Sequence, residues 1–71
     1  MQGLTKKHAE ALRAIKNFIL DEGYSPTYAD LGKRLGITRQ AVAYRVAELK
    51  KRGAITFTPG RAGSIVVLDA Q

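Results

Sequence analysis

Cysteine is missing from these 71 residues, tryptophan is missing too, and histidine occurs once, at His8. Without thiols the chain has neither a disulfide framework nor a thiolate metal site to stabilise it. One imidazole with no clustered carboxylate beside it makes no metal-ligand set and no acid–base pair, so neither a metal nor a catalytic role is expected at His8. No nucleophile–base pair is recognisable, and Gly60-Arg61-Ala62-Gly63 lacks the Lys-Ser/Thr that a phosphate-cradling loop needs. An enzyme is therefore not expected, nor is any cofactor. No apolar run approaches the ~20 residues that cross a bilayer, and no charged-then-apolar leader opens the chain. The expectation is a soluble, cytoplasmic chain with no membrane partner. Acidic residues are also scarce, six against twelve Lys and Arg, for a net charge of +6.

Seventy-one residues make a single domain, 1–71, small enough that only about 60% of the unfolded surface can be buried. Stability has to come from apolar packing, which leaves little room for a catalytic cleft. The excess charge is not spread evenly. Lys33, Arg34, Arg39, Arg45, Lys50, Lys51, Arg52 and Arg61 face only Glu48 in the segment 33–61, which carries +7, while the remainder carries −1. A basic half behind a neutral-to-acidic half points to a polyanionic partner. A membrane-surface helix would need a broad apolar face with aromatics, which this segment does not have. Nucleic acid is favoured.

Taken in order, Met1–Gly3 is expected to fray, and Leu4 and Thr5 read as the hydrophobic staple and N-cap of a first helix ending near Leu20 or Asp21. Its apolar stripe is Leu12, Ile15 and Ile19, flanked by Ala11 and Phe18, with Lys6, Lys7, Arg13 and Lys16 as solvated charges. Lys6 and Lys7 stand against the helix dipole, a mild misplacement that a nearby phosphate would relieve. Gly23 and Pro26 break the helix, with a short extended segment expected at Tyr24 and Ser25. Thr27 opens a second helix in a capping box with Asp30, followed by Leu31 and Leu35 and closed by Gly36. Gly32 inside it suggests a close helix crossing.

The third helix follows after only a short turn. Thr38 is its N-cap, Ile37 and Val42 its staple, and Gly53 its left-handed stop. Val42, Val46 and Leu49 fall on one side; Arg39, Gln40, Ala43, Tyr44, Ala47, Lys50 and Lys51 occupy most of the other. A short Gly-closed helix, a turn and a capped basic helix is the sequence form of a helix-turn-helix. Beyond Gly53 the period becomes strand-like. Ala54–Thr58 and Ile65–Leu68 should pair as a hairpin, with Ile55 and Phe57 inward, Thr56 and Thr58 outward, and Arg61 at its tip. The fold class is mainly α (α+β): a winged helix-turn-helix of three helices followed by a two-stranded β-hairpin wing.

From Leu4 to about Leu68 the chain resembles the N-terminal DNA-binding domain of the LexA repressor family. The resemblance is carried by Leu4-Thr5, by Gly23 with Ser25-Pro26-Thr27, by Arg34-Leu35-Gly36, by Leu49 with Lys51-Arg52-Gly53, and by Gly60 with Gly63. It implies that the helix from Thr38 to Arg52 is the recognition helix and that Arg61 lies in the wing. Two departures limit what carries over. The segment 36–53 is one residue shorter than in LexA, and Thr38-Arg39-Gln40-Ala41 replaces a Ser/Asn/Ala/Glu-type first turn. That segment is more similar to other winged helix regulators whose recognition helix begins Ile-Thr-Arg-Gln-Ala-Val, so the operator is not expected to be the usual LexA one. LexA also continues into a self-cleaving Ser/Lys protease domain that dimerises, and neither property is carried over here.

The expected function is therefore sequence-specific binding of double-stranded DNA in transcriptional regulation, as a repressor. Arg39, Gln40, Ala43 and Tyr44 are the candidates for base contacts in the major groove, Tyr44 through a base methyl or a phosphate. Thr27, Tyr28, Lys33, Thr38, Arg45, Lys50, Lys51 and Arg61 are the candidates for the sugar-phosphate backbone, with Arg61 there or in the minor groove. Useful specificity calls for a homodimer on DNA, tandem sites or a partner protein. The alternative is a winged helix used for protein–protein assembly, which tends to lack such a concentrated basic face.

Overall fold

In the computed structural model, which describes residues 5–68, α1 (Lys6–Glu22) starts where the Thr5 hydroxyl accepts the His8 N–H. It continues one residue past the expected end, until Gly23 turns left-handed at φ 81° and donates its N–H to the Ile19 carbonyl. The expectations for Met1–Gly3 and Leu4 lie outside the described residues. The buried line of α1 is His8, Ala11, Ile15 and Phe18, with Leu12 and Ile19 only half-buried. This corrects the expected stripe by a fraction of a turn. Two later helices pack on α1, and Phe18 is drawn inward at their corner: the Tyr24 ring meets it edge-on at 5.5 Å and the Arg34 guanidinium covers it at 5.0 Å. The extended segment expected at Tyr24 and Ser25 is a bend and irregular chain with no strand partner.

Thr27 and Asp30 form the expected capping box at the start of α2 (Tyr28–Leu35): Asp30 N–H donates to Thr27 Oγ1 at 3.1 Å and Thr27 N–H to Asp30 Oδ2 at 3.0 Å. The backbone hydrogen bond from Thr27, with help from Lys33 and Arg34, holds the Asp30 carboxyl below the ordinary carboxylate range. Gly36 closes the helix at φ 69°. The close approach suspected at Gly32 is real: its tightest contact is with the turn, and Val42 of the next helix stands at ordinary contact distance, 3.8 Å from the same position. A Cβ there would stand 2.9 Å from the Ile37 carbonyl oxygen, and Ile37 in turn donates its N–H to the Gly32 carbonyl at 3.1 Å.

That backbone contact sets a prediction. Gly32→Ala gains about 1 kcal/mol of helix propensity. It forces the turn outward at a cost of about 1–3 kcal/mol. The expected result in urea unfolding is a net loss of up to about 2 kcal/mol; a gain in stability would show that the turn yields freely.

After Gly36-Ile37-Thr38, α3 (Arg39–Lys51) begins under the Thr38 cap, whose hydroxyl accepts the Ala41 N–H at 3.0 Å. It ends in a Schellman arrangement: Gly53, at φ 80°, donates to the Lys50 carbonyl, and Ala54 to the Leu49 carbonyl. The chain then enters an antiparallel hairpin, β1 (Ile55–Thr56) and β2 (Val66–Val67), in register Ile55↔Val67 and Thr56↔Val66. The strands are shorter than the expected Ala54–Thr58 and Ile65–Leu68 because the ladder gives way to a side chain. Ser64 Oγ takes the Thr58 N–H at 2.9 Å, and Arg61 N–H returns to the Thr58 carbonyl at 3.1 Å across Pro59-Gly60. Proline followed by a glycine at φ 78° is the residue order of a type II turn.

The core gathers Ala11 and Ile15 of α1, Leu31 of α2, Val42, Val46 and Leu49 of α3, and Ile55 and Ile65 of the hairpin. Ile55 faces inward as expected and Thr58 is exposed; Phe57 and Thr56 are both half-buried. Three helices followed by a two-stranded wing is the winged helix architecture.

Candidate nucleic-acid interface

Burial of Val42, Val46 and Leu49 leaves α3 no choice of orientation, so its opposite side faces solvent. Thr38, Arg39, Gln40, Tyr44, Ala47, Lys50 and Lys51 are exposed, and Ala43 and Arg45 are half-buried on its flanks. Tyr44, a large aromatic residue, is 66% exposed. Glu48, the one acid of α3, is half-buried and bound to Arg52 at 3.6 Å, one turn along. That pair compensates its charge within the helix end.

Adjacent residues of α3 point into different hollows. Arg39 lines an open cleft of about 460 Å³ between the α2 start and the wing, together with Thr27, Tyr28 and Arg61. Gln40, Tyr44 and Arg45 line another, of about 540 Å³, between α3 and the first turn of α1. Lys33, Thr38, Ala43, Lys50 and Lys51 line neither. Tyr28 both lines the wing-side cleft and packs against the core, so the two uses considered for it coexist.

The basic residues of segment 33–61 divide into structural and free groups. Arg34 reaches Asp21 at 3.2 Å and Glu22 at 3.7 Å while covering Phe18, which ties α2 to the end of α1. Arg52 is held by Glu48. Lys50 donates to the Phe57 carbonyl at 3.3 Å and lies 4.5 Å from its ring centroid, so it fastens α3 to the wing base while keeping its charge at the surface. Lys33, Arg39, Arg45, Lys51 and Arg61 have no ion-pair partner among the described residues.

Ser64 is the residue that sequence reasoning missed. Its hydroxyl accepts from Thr58 N–H and lies 2.8 Å from the Arg61 carbonyl, so it sets the wing that carries Arg61. Only knowledge of the strand register could have singled it out from the neighbouring turn-formers. Ser64→Ala should leave the helices intact and release the Thr58 amide. Hydrogen exchange at that amide should accelerate about tenfold, on the order of 1 kcal/mol for one hydrogen bond; unchanged protection would mean that the wing is held by its backbone alone.

No described helix is long and apolar enough to cross a membrane. Among the described residues no three His, Cys, Asp or Glu side chains gather closely enough to hold a metal ion.

The family model for the LexA DNA binding domain matches residues 1–64. The LexA repressor of Thermosipho melanesiensis is 37% identical over 71 residues, covering 100% of this chain and 36% of that protein. The LexA repressor of Shewanella sediminis is 38% identical over 99% of this chain and 34% of its own length. That of Pseudomonas aeruginosa is 38% identical over 92% and 32%. The chain spans about a third of the length of these curated relatives. With three helices, a two-stranded wing and a family match over nearly all of its residues, the chain belongs to the LexA DNA-binding-domain family.

Proposed function

We propose that this domain binds double-stranded DNA with sequence preference and serves as the operator-reading part of a transcriptional repressor. The observation that carries this reading is the exposed face of α3, where Arg39, Gln40, Tyr44 and Lys51 stand free while the helix's one acid is engaged elsewhere. Arg39 and Gln40 offer the bidentate donors and acceptors that distinguish base edges, and the small side chain of Ala43 lets the helix approach closely. Tyr44 supplies a ring for a thymine methyl or a hydroxyl for a phosphate. Thr27, Tyr28, Lys33, Thr38, Arg45, Lys50, Lys51 and Arg61 hold the sugar-phosphate backbone, with Arg61 carried there by the wing.

The relatives named above are called repressors, which supports the regulatory role; their remaining length is not matched by this chain, so no proteolytic activity is proposed for it. A single domain of this size covers a short half-site, and we propose that two copies, or one copy with a partner protein, supply full specificity. The work is that of a soluble protein at the nucleoid, and the domain 1–71 acts as one unit.

Selection of bound duplexes from a random pool tests this. Recovery of one motif, palindromic or directly repeated, supports the reading; recovery of unrelated sequences with equal salt-sensitive affinity would replace it with non-specific DNA binding.

A further inference from the structure

Resting on the reading above, we propose that the cleft between the first turn of α1 and α3 is a second phosphate seat, in which Lys7 and Arg45 hold the DNA strand on the far side of the major groove from the wing. A helix lying in a groove about 12 Å wide has a sugar-phosphate backbone on each side of it. Here α3 is flanked by a hollow on each side, and the two are lined by neighbouring residues of the same turn, Arg39 in one and Gln40 in the other. The wing-side hollow has Arg61 for one strand. The other has Lys7 from α1 and Arg45 from α3.

Among the described residues that line this second hollow there is no acidic side chain. Its floor is His8, which is buried and already engaged, its Nδ1 lying 3.0 Å from Thr5 Oγ1. Lys7 is exposed at a helix start, where the dipole disfavours a cation, and among the described residues no carboxylate compensates it. A phosphodiester in the cleft supplies the missing anion. The seat brings α1, otherwise a scaffold, into the DNA interface, so both strands bordering the groove are gripped.

The test uses the selected duplex. Lys7→Gln removes an exposed charge without touching the core. The expected result is a Kd raised about 5–10-fold near 0.1 M salt, a slope of log K against log salt reduced by about 0.9, and the selected sequence unchanged. Arg45→Gln should act alike. Arg13→Gln, on an exposed part of α1 outside the cleft, serves as the control for general charge and should leave the slope unaltered. Ethylation interference locates the contact: phosphates on both strands matter to the native chain, and those on one strand cease to matter to Lys7→Gln. A native slope for Lys7→Gln, or an equal loss for Arg13→Gln, overturns the seat while leaving sequence-specific binding standing. Failure of the native chain to prefer any duplex overturns the underlying reading, and the seat with it.

Discussion

Leu49→Ala should lower the unfolding free energy by about 2–5 kcal/mol and leave much of the population unfolded at physiological temperature. Leu49 is 0% exposed and belongs to the one buried cluster joining all three helices and the hairpin. The truncated side chain leaves a cavity that a rigid three-helix corner cannot close, and small domains begin with a stability of only about 5–15 kcal/mol. The Schellman hydrogen bond from Ala54 uses the Leu49 backbone and survives the substitution. Urea unfolding followed by circular dichroism should show a lower midpoint with an unchanged slope. DNA affinity should fall in proportion to the unfolded fraction. A native midpoint would mean that α3 is positioned by its caps rather than by its packing.

The second large effect concerns recognition. Arg39→Ala and Gln40→Ala should each relax preference at one base position of the selected site, by about 1–3 kcal/mol of lost discrimination. Because the two side chains line hollows on opposite flanks of α3, the positions they relax should differ. Lys51→Ala should instead weaken all sequences about equally and reduce the salt slope by about one. Competition titrations with single-base variants of the site separate these outcomes. If Arg39→Ala and Gln40→Ala bound every variant with native ratios, base reading would have to be assigned to other residues.

How far the residues alone predicted this arrangement depended on how local each interaction is. The caps were legible because they close within three residues: Thr5 to His8, Thr27 to Asp30 and Thr38 to Ala41 each follow from one side chain and a free N–H. The left-handed stops at Gly23, Gly36 and Gly53 were legible for the same reason. The register of buried residues on α1 was less so, because Phe18 is pulled inward by Tyr24 and Arg34, and Arg34 lies 16 residues away in sequence. The strand lengths were overestimated because alternation of apolar and Thr residues cannot reveal that Ser64 replaces a ladder bond.

The candidate site divides along the same line. That α3 turns Arg39, Gln40, Tyr44 and Lys51 outward follows from the helical period and the burial of Val42, Val46 and Leu49. That Lys50 fastens the wing through Phe57, and that Arg34 and Arg52 are spent on intramolecular ion pairs, required the tertiary contacts. Counting cations along the chain therefore overstated the charge available to a polyanion. What remains free is concentrated beside the two hollows and along α3.

On the function proposed, the exposed face of α3 enters the major groove. Amide chemical-shift mapping of the labelled domain against its selected duplex tests it most directly. The largest shifts are expected from Thr38 through Lys51 and around Arg61, with smaller ones at Thr27 and Lys7 and none at Leu20 or Asn17, which are exposed on α1 and line neither hollow beside α3. Shifts centred on Leu20 and Asn17, with α3 unmoved, would contradict this placement.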